Sequence, residues 1–156
     1  MKKRFAELIH DLGEELETQL DTDQLGTCSL VVDEKFTVQL EPDKYTDQVL
    51  MGTSLTNVAP GKFRENVLAQ ALKANGIYPR PGIFAFRAES SELVLFTMLS
   101  IEGLDAKKIV DTLALFIDTA ETWKQAIDNG NLVSLGIAPG SKTASNTKQQ
   151  NPFNIK

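Results

Sequence analysis

Residues 67–127 read VLAQALKANGIYPRPGIFAFRAESSELVLFTMLSIEGLDAKKIVDTLALFIDTAETWKQAI, and this stretch decides the fold. It holds most of one helix, two strands about a serine turn, and a long amphipathic helix. From Lys62 to Ala74 the pattern is helical, with Phe63, Val67 and Ala71 along one line and Leu68 and Leu72 beside it. Apolar groups spread so widely around a helix want contacts on two sides. Asn75-Gly76 can supply the left-handed residue that ends it. Pro79, Pro81 and Gly82 then make an irregular connector.

Strands are expected over 83–87 and 92–101, on either side of Glu89-Ser90-Ser91. The second is apolar on both faces, because Leu93, Leu95 and Leu99 alternate with Val94, Phe96 and Met98. That is the mark of an inner strand covered above and below, or on one side by another subunit. Asp105 can cap the last helix, whose stripe is Ile109, Leu113, Phe116, Ile117, Ala120, Trp123 and Ile127. Asn129-Gly130 stops it.

Upstream, Phe5, Leu8, Ile9, Leu12, Leu16 and Leu20 recur at three- and four-residue steps, with Glu7, Asp11, Glu14, Glu15 and Glu17 largely off that stripe. This is an amphipathic helix whose apolar side must lie on something. Cys28, Leu30 and Val32 alternate, Asp33-Glu34-Lys35 offers a polar turn, and Phe36, Val38 and Leu40 alternate again, which makes a hairpin with one apolar face. A third strand follows near 48–56, after a break containing Pro42, and Pro60-Gly61 ends it. The order is α-β-β-β-α-β-β-α, a single α+β domain over 1–136 with an antiparallel twisted sheet and helices packed on it. Residues 137–156 are Gly, Ser, Thr, Lys, Asn and Gln for the most part, too polar to offset ordering entropy, and are expected to form a disordered tail.

Composition narrows the function. The formal charge is -5 overall, but the basic residues Lys142, Lys148 and Lys156 all lie in the tail, so residues 1–140 carry 13 basic and 21 acidic groups. An acidic body repels nucleic acid and anionic membrane. No window approaches the roughly 20 apolar residues of a membrane span. Lys2-Lys3-Arg4 resembles the start of a signal peptide, yet Glu7 and Asp11 follow where an apolar core should be, so a cytoplasmic protein is expected. One cysteine, Cys28, cannot make an internal disulfide.

Chemistry is hard to find. His10 is the sole histidine and lies on the first helix, where a surface position is the simpler reading than a catalytic base. Cys28 begins a strand without a histidine partner and reads as a buried, inert thiol. Neither His-x-x-x-His nor Cys-x-x-Cys occurs, which disfavours zinc. The acid pairs Glu14-Glu15, Asp21 with Asp23, and Asp33-Glu34 fall on a polar helix face and in turns, where solvation explains them better than hydrolysis. Residues 136–142 resemble a phosphate loop only superficially, lacking the Gly-Lys-Ser/Thr ending. What remains is surplus apolar surface on a small acidic domain, and that usually means partners.

The helix Val67-Leu68-Ala69-Gln70-Ala71-Leu72-Lys73-Ala74-Asn75, then Gly82-Ile83-Phe84-Ala85-Phe86, the Ser90-Ser91 turn, Leu93-Val94-Leu95 and residues 116–123 together resemble the class I type III secretion chaperones, or Tir-chaperone-like family. The connector Tyr78-Pro79-Arg80-Pro81 is stiffer than the glycine-rich one such a chain would carry. The resemblance implies an acidic homodimer of a Gram-negative cytoplasm that binds the N-terminal region of secreted effectors and keeps it partly extended for export. The secretion ATPase is a further candidate partner, and no cofactor, metal, nucleic acid or enzymatic activity is implied. By position, Phe63, Val67, Leu68, Ala71, Leu72, Ile83, Ala85 and Phe86 match the dimerisation region. Leu8, Leu12 and Leu16, with Leu30, Val32, Phe36 and Val38, would line client grooves, although ordinary core explains the same seven residues. Two alternatives stand beside this reading: a non-secretory adaptor on the same scaffold, and a small enzyme with a pocket near Trp123 and His10.

Overall fold

A computed structural model describes residues 2–135 and contains the elements in the expected order. They are α1 (Lys2–Glu15), β1 (Cys28–Val32), β2 (Phe36–Pro42), β3 (Gln48–Asn57), α2 (Lys62–Asn75), β4 (Ile83–Arg87), β5 (Glu92–Ser100) and α3 (Ala106–Asp128), followed by a 3-10 turn at Leu132–Leu135. The tail expected over 137–156, with its loop-like glycines, lies outside the described residues.

All five strands join one antiparallel sheet in the order β1-β2-β3-β5-β4. β5 is therefore an inner strand, as its two-sided apolar pattern requires. The period of two then sorts the side chains. Leu30, Val32, Val38, Leu40, Val49, Met51, Phe84, Leu93 and Leu95 point into a single core with α1 and α3. The stripe from Ile109 to Ile127 is buried along α3, and Phe5, Leu8, Ile9, Leu12 and Leu16 are buried along α1. Leu20, the last member of the α1 stripe, lies past the helix end and only packs against the core margin. Among the described residues the one buried polar residue, Thr53, is satisfied, since its Oγ1 donates to the Thr37 carbonyl at 2.9 Å.

The helix ends follow local chemistry, with one departure. Asp105 caps α3 by accepting from the Lys108 amide at 2.8 Å, as its position predicts. Asn129 stays right-handed and Gly130, at φ 65°, takes the left-handed position after α3. After α2, however, neither Asn75 nor Gly76 is left-handed; Gly76 has φ -82° and its amide bonds back to Lys73. Asn75 has a different task. Its Oδ1 accepts from the Phe84 amide at 2.8 Å and its Nδ2 donates to the Phe84 carbonyl at 2.9 Å. The side chain thus pairs with the outer edge of β4 as a neighbouring strand would.

Candidate partner-binding surfaces

Among the described residues, α1 and α3 lie on one side of the sheet, and α2 packs along the β4 margin. The opposite side of the sheet bears side chains that the core cluster does not include. Cross-strand register assembles it in rows: Glu41, Leu50 and Met98; Gln39, Gly52, Phe96 and Ile83; Ser54, Val94 and Ala85. The half on β1 and β2 is polar, with Ser29, Thr37, Gln39 and Glu41 exposed. The half on β3, β5 and β4 is apolar and half-buried. Gly52 makes a shallow dip there, since a Cβ at that position would meet the Phe96 Cβ at 3.7 Å in ordinary contact. Arg87 and Glu92 close one end with an ion pair of 3.0 Å. Ser90, through its hydroxyl, and Arg87 hold the Glu92 carboxyl below the usual carboxylate range.

A second surface is the outer side of α2. Val67 and Ala71 are buried and Leu68 packs against the core margin, whereas Phe63 is partly open and Leu72 is 73% exposed. Arg64 donates from Nε to the Val58 carbonyl at 2.7 Å and lies 4.9 Å above the Phe86 ring. Ile83 and Ala85 belong to the open sheet face, and Phe86 to the α2 side. The eight residues aligned with the dimerisation region are thus spread over three settings: core, α2 surface and sheet face.

The seven residues aligned with client grooves share one setting. Leu8, Leu12, Leu16, Leu30, Val32, Phe36 and Val38 are all at or below 5% exposure and belong to the core cluster. Burial in the chain's own core accounts for them completely. Exposed surface on that side belongs to their neighbours, including the hollow of roughly 540 Å³ beside the end of α1, lined by His10, Gly13, Glu17, Gln19 and Leu20 among others. Among the described residues β1 is also an edge strand, paired only with β2. Sequence reasoning left core and client groove both open for these residues, because inward and client-facing alternation have the same period.

The residues weighed for catalysis are held apart or engaged in structure. Trp123 is stacked on Phe84 in the core, with ring centroids 4.0 Å apart, and does not line the hollow next to His10. Cys28 is buried, and burial with the Asp21 charge nearby pushes its thiol up to about 11. Asp23 accepts from the Leu25 and Thr27 amides at 2.9 and 2.8 Å, so it shapes a turn. His10, Asp11 and Glu14 bring ligand-type atoms within 4.8 Å of one another, but on an exposed helix turn at the rim of a wide, open hollow. Among the described residues, no helix is long and apolar enough to cross a membrane.

Among the described residues the sheet thus has one face without a helix over it, polar on β1 and β2 and apolar on β3, β5 and β4, and α2 at its margin carries an exposed leucine. Residues 7–124 match the model of the Tir chaperone protein (CesT) family, and the chain belongs to that family. These are the class I type III secretion chaperones, a family of chaperones and not of enzymes. Solved structures share the fold at low identity. The HopA1-SchA chaperone-effector complex contains a chain that is 21% identical, with 80% of this chain and 96% of that one covered and a TM-score of 0.68. The ExsC-ExsE complex gives 19% identity, 81% and 96% coverage and a TM-score of 0.65. The Yersinia pestis type III secretion chaperone SycH, solved with a fragment of YscM2, gives 18%, 76% and 98%, and 0.59. No curated protein matches the chain.

Proposed function

We propose that this protein is a homodimeric type III secretion chaperone of a Gram-negative cytoplasm, binding the N-terminal region of one or a few secreted effectors and keeping it partly extended, soluble and competent for export. The observation that carries the reading is the family match over residues 7–124. The similarly folded chains of the HopA1-SchA chaperone-effector complex and of the type III secretion chaperone SycH bound to a fragment of YscM2 support it. The dimer forms through α2 and β4, where Leu72 and Phe63 supply the exposed apolar contacts, Leu68 and Phe86 lie on the α2 side, and Ile83 and Ala85 carry the interface onto the open sheet face. Val67 and Ala71 hold α2 in place from beneath.

The client lies on the side of α1 and the β1-β2 hairpin. An extended segment can add a strand to the β1 edge for backbone hydrogen bonds, while its side chains lie along the hollow beside α1, whose lining of Glu14, Glu17 and Asp21 favours basic and polar groups. The buried leucines and valines beneath form the floor on which those contacts rest. Handing the client to the secretion ATPase is the further step this function requires.

Light scattering on the purified chain tests the assembly. The expected result is twice the mass of one chain at micromolar concentration, and a strict monomer counts against the reading. A non-secretory adaptor on the same scaffold would also dimerise, but it would retain no secreted protein through an N-terminal region.

A further inference from the structure

The open edge of β1 runs through a strongly one-signed part of the chain. Residues 7–34 carry nine of the 21 acidic residues and neither a lysine nor an arginine. β1 itself, Cys-Ser-Leu-Val-Val, is uncharged, and it lies between two pairs of exposed acids: Asp21 and Asp23 ahead of it, Asp33 and Glu34 after it. The first pair adjoins the start of the strand. Asp23 accepts from the Thr27 amide at 2.8 Å, and the Asp21 charge acts on the Cys28 thiol. The second pair makes the turn into β2, at φ 52° and 57°. Lys35, the cation nearest that turn in sequence, reaches away to α3, 2.7 Å from Glu121, and Asp21 accepts from the uncharged Gln19 amide at 3.2 Å.

We propose that the β1 edge takes an extended segment with an uncharged middle of about five residues and a lysine or arginine at each end. This rests on the reading of the protein as a chaperone whose client adds a strand at β1, and it names the chemistry of that client. The five residues of β1 span about 17 Å, so the two cations stand roughly six residues apart. Backbone bonds to β1 hold the middle, and the acids hold the ends. Because both ends of β1 are acidic, the same pattern serves a segment running in either direction. Glu14 and Glu17, in the hollow beside α1, extend the negative potential along the helix side.

Charge also selects against the other candidate for this edge, a second copy of the chain. Two β1 edges brought together set acid against acid at both ends, whichever way they run. An extended segment of opposite charge meets no such repulsion.

Three capped, labelled peptides test the proposal on the full chain by fluorescence anisotropy and amide exchange: Lys-Lys-Thr-Val-Thr-Val-Thr-Lys-Lys, the same strand with four glutamates in place of the lysines, and the lysine form with both valines changed to proline. The lysine strand should bind about tenfold or more tightly than the glutamate strand at low salt, with the margin shrinking as salt is raised. It should slow amide exchange in β1 and leave β4 unchanged. The proline form keeps the charge but cannot complete a ladder, and should bind about fivefold or more weakly. Asp21→Asn and Asp33→Asn, both at exposed positions and the second a residue that tolerates the left-handed turn, should each weaken the lysine strand about threefold. Equal affinity for the lysine and glutamate strands overturns the proposal. So does an absence of binding by the lysine strand, equal binding by the proline form, or protection that falls outside β1. A chain that retains a secreted effector from the native cell but fails this comparison keeps its place as a chaperone and loses the client chemistry; one that passes but retains no secreted protein does the reverse.

Discussion

Glu17 occupies the left-handed position after α1, at φ 52°, where the Thr18 amide donates to the Gly13 carbonyl at 2.9 Å. A side chain with a Cβ is disfavoured there by roughly 1 kcal/mol. Glu17→Gly should therefore raise thermal stability by a few degrees, measured by calorimetry or circular dichroism. Gly82 shows the opposite constraint. A Cβ at that position would sit 2.9 Å from the Leu95 side chain and 3.0 Å from the Phe96 carbonyl, and the carbonyl cannot rotate away. Gly82→Ala should cost about 1–3 kcal/mol in a denaturant titration. Cys28 is the third informative residue. Its folded-state thiol titrates near 11 against an ordinary 9.0, so between those values the folded chain holds the proton that the unfolded chain has lost. Stability from this group is complete below about pH 8.5 and declines as pH rises through the folded value. Cys28→Ala should flatten the alkaline loss, and the wild-type thiol should react with a thiol reagent at pH 8 only on unfolding.

At the scale of elements, the Asn75 side chain closes α2 onto the edge of β4. Asn75→Ala leaves the Phe84 amide and carbonyl without those partners and should destabilise by about 1–3 kcal/mol, with hydrogen exchange quickening first in β4. Sequence placed Asn75 correctly at a helix end but assigned it a backbone role, because a long-range bond to Phe84 leaves no trace in local pattern. The elements themselves were legible for a physical reason: α1, α3 and the hairpin each bury one face, and periods of 3.6 and 2 record that directly. β5 was legible for the same reason in reverse. Its apolar residues on both faces announced an inner strand, and the structure puts it between β3 and β4. The candidate contact residues were less legible. Period tells that Leu30 and Val38 face one way, but not whether protein or solvent lies there, and both prove fully buried. On α2 the wide apolar girth did separate into buried Val67 and Ala71 and exposed Leu72. Leu72→Asp should leave the circular dichroism spectrum unchanged, given its 73% exposure, and convert the proposed dimer to monomer in light scattering.

At the scale of the whole molecule, strand order was the feature no local pattern could supply, since β3 passes over β4 to pair with β5. That crossover sets β1 and β4 at opposite edges, with one sheet face turned away from α1 and α3. An acidic body with an open β1 edge suits the proposed role of staying dissolved while holding an extended, aggregation-prone segment. The central claim is that this segment is the N-terminal region of a secreted effector. Co-purification from the native cell, with mass spectrometry of what is retained and a repeat using N-terminal truncations of each retained protein, tests it most directly. One or a few secreted proteins should be retained, and each should be lost when its N-terminal region is removed. Retention of no secreted protein, or retention indifferent to the truncation, would contradict the account.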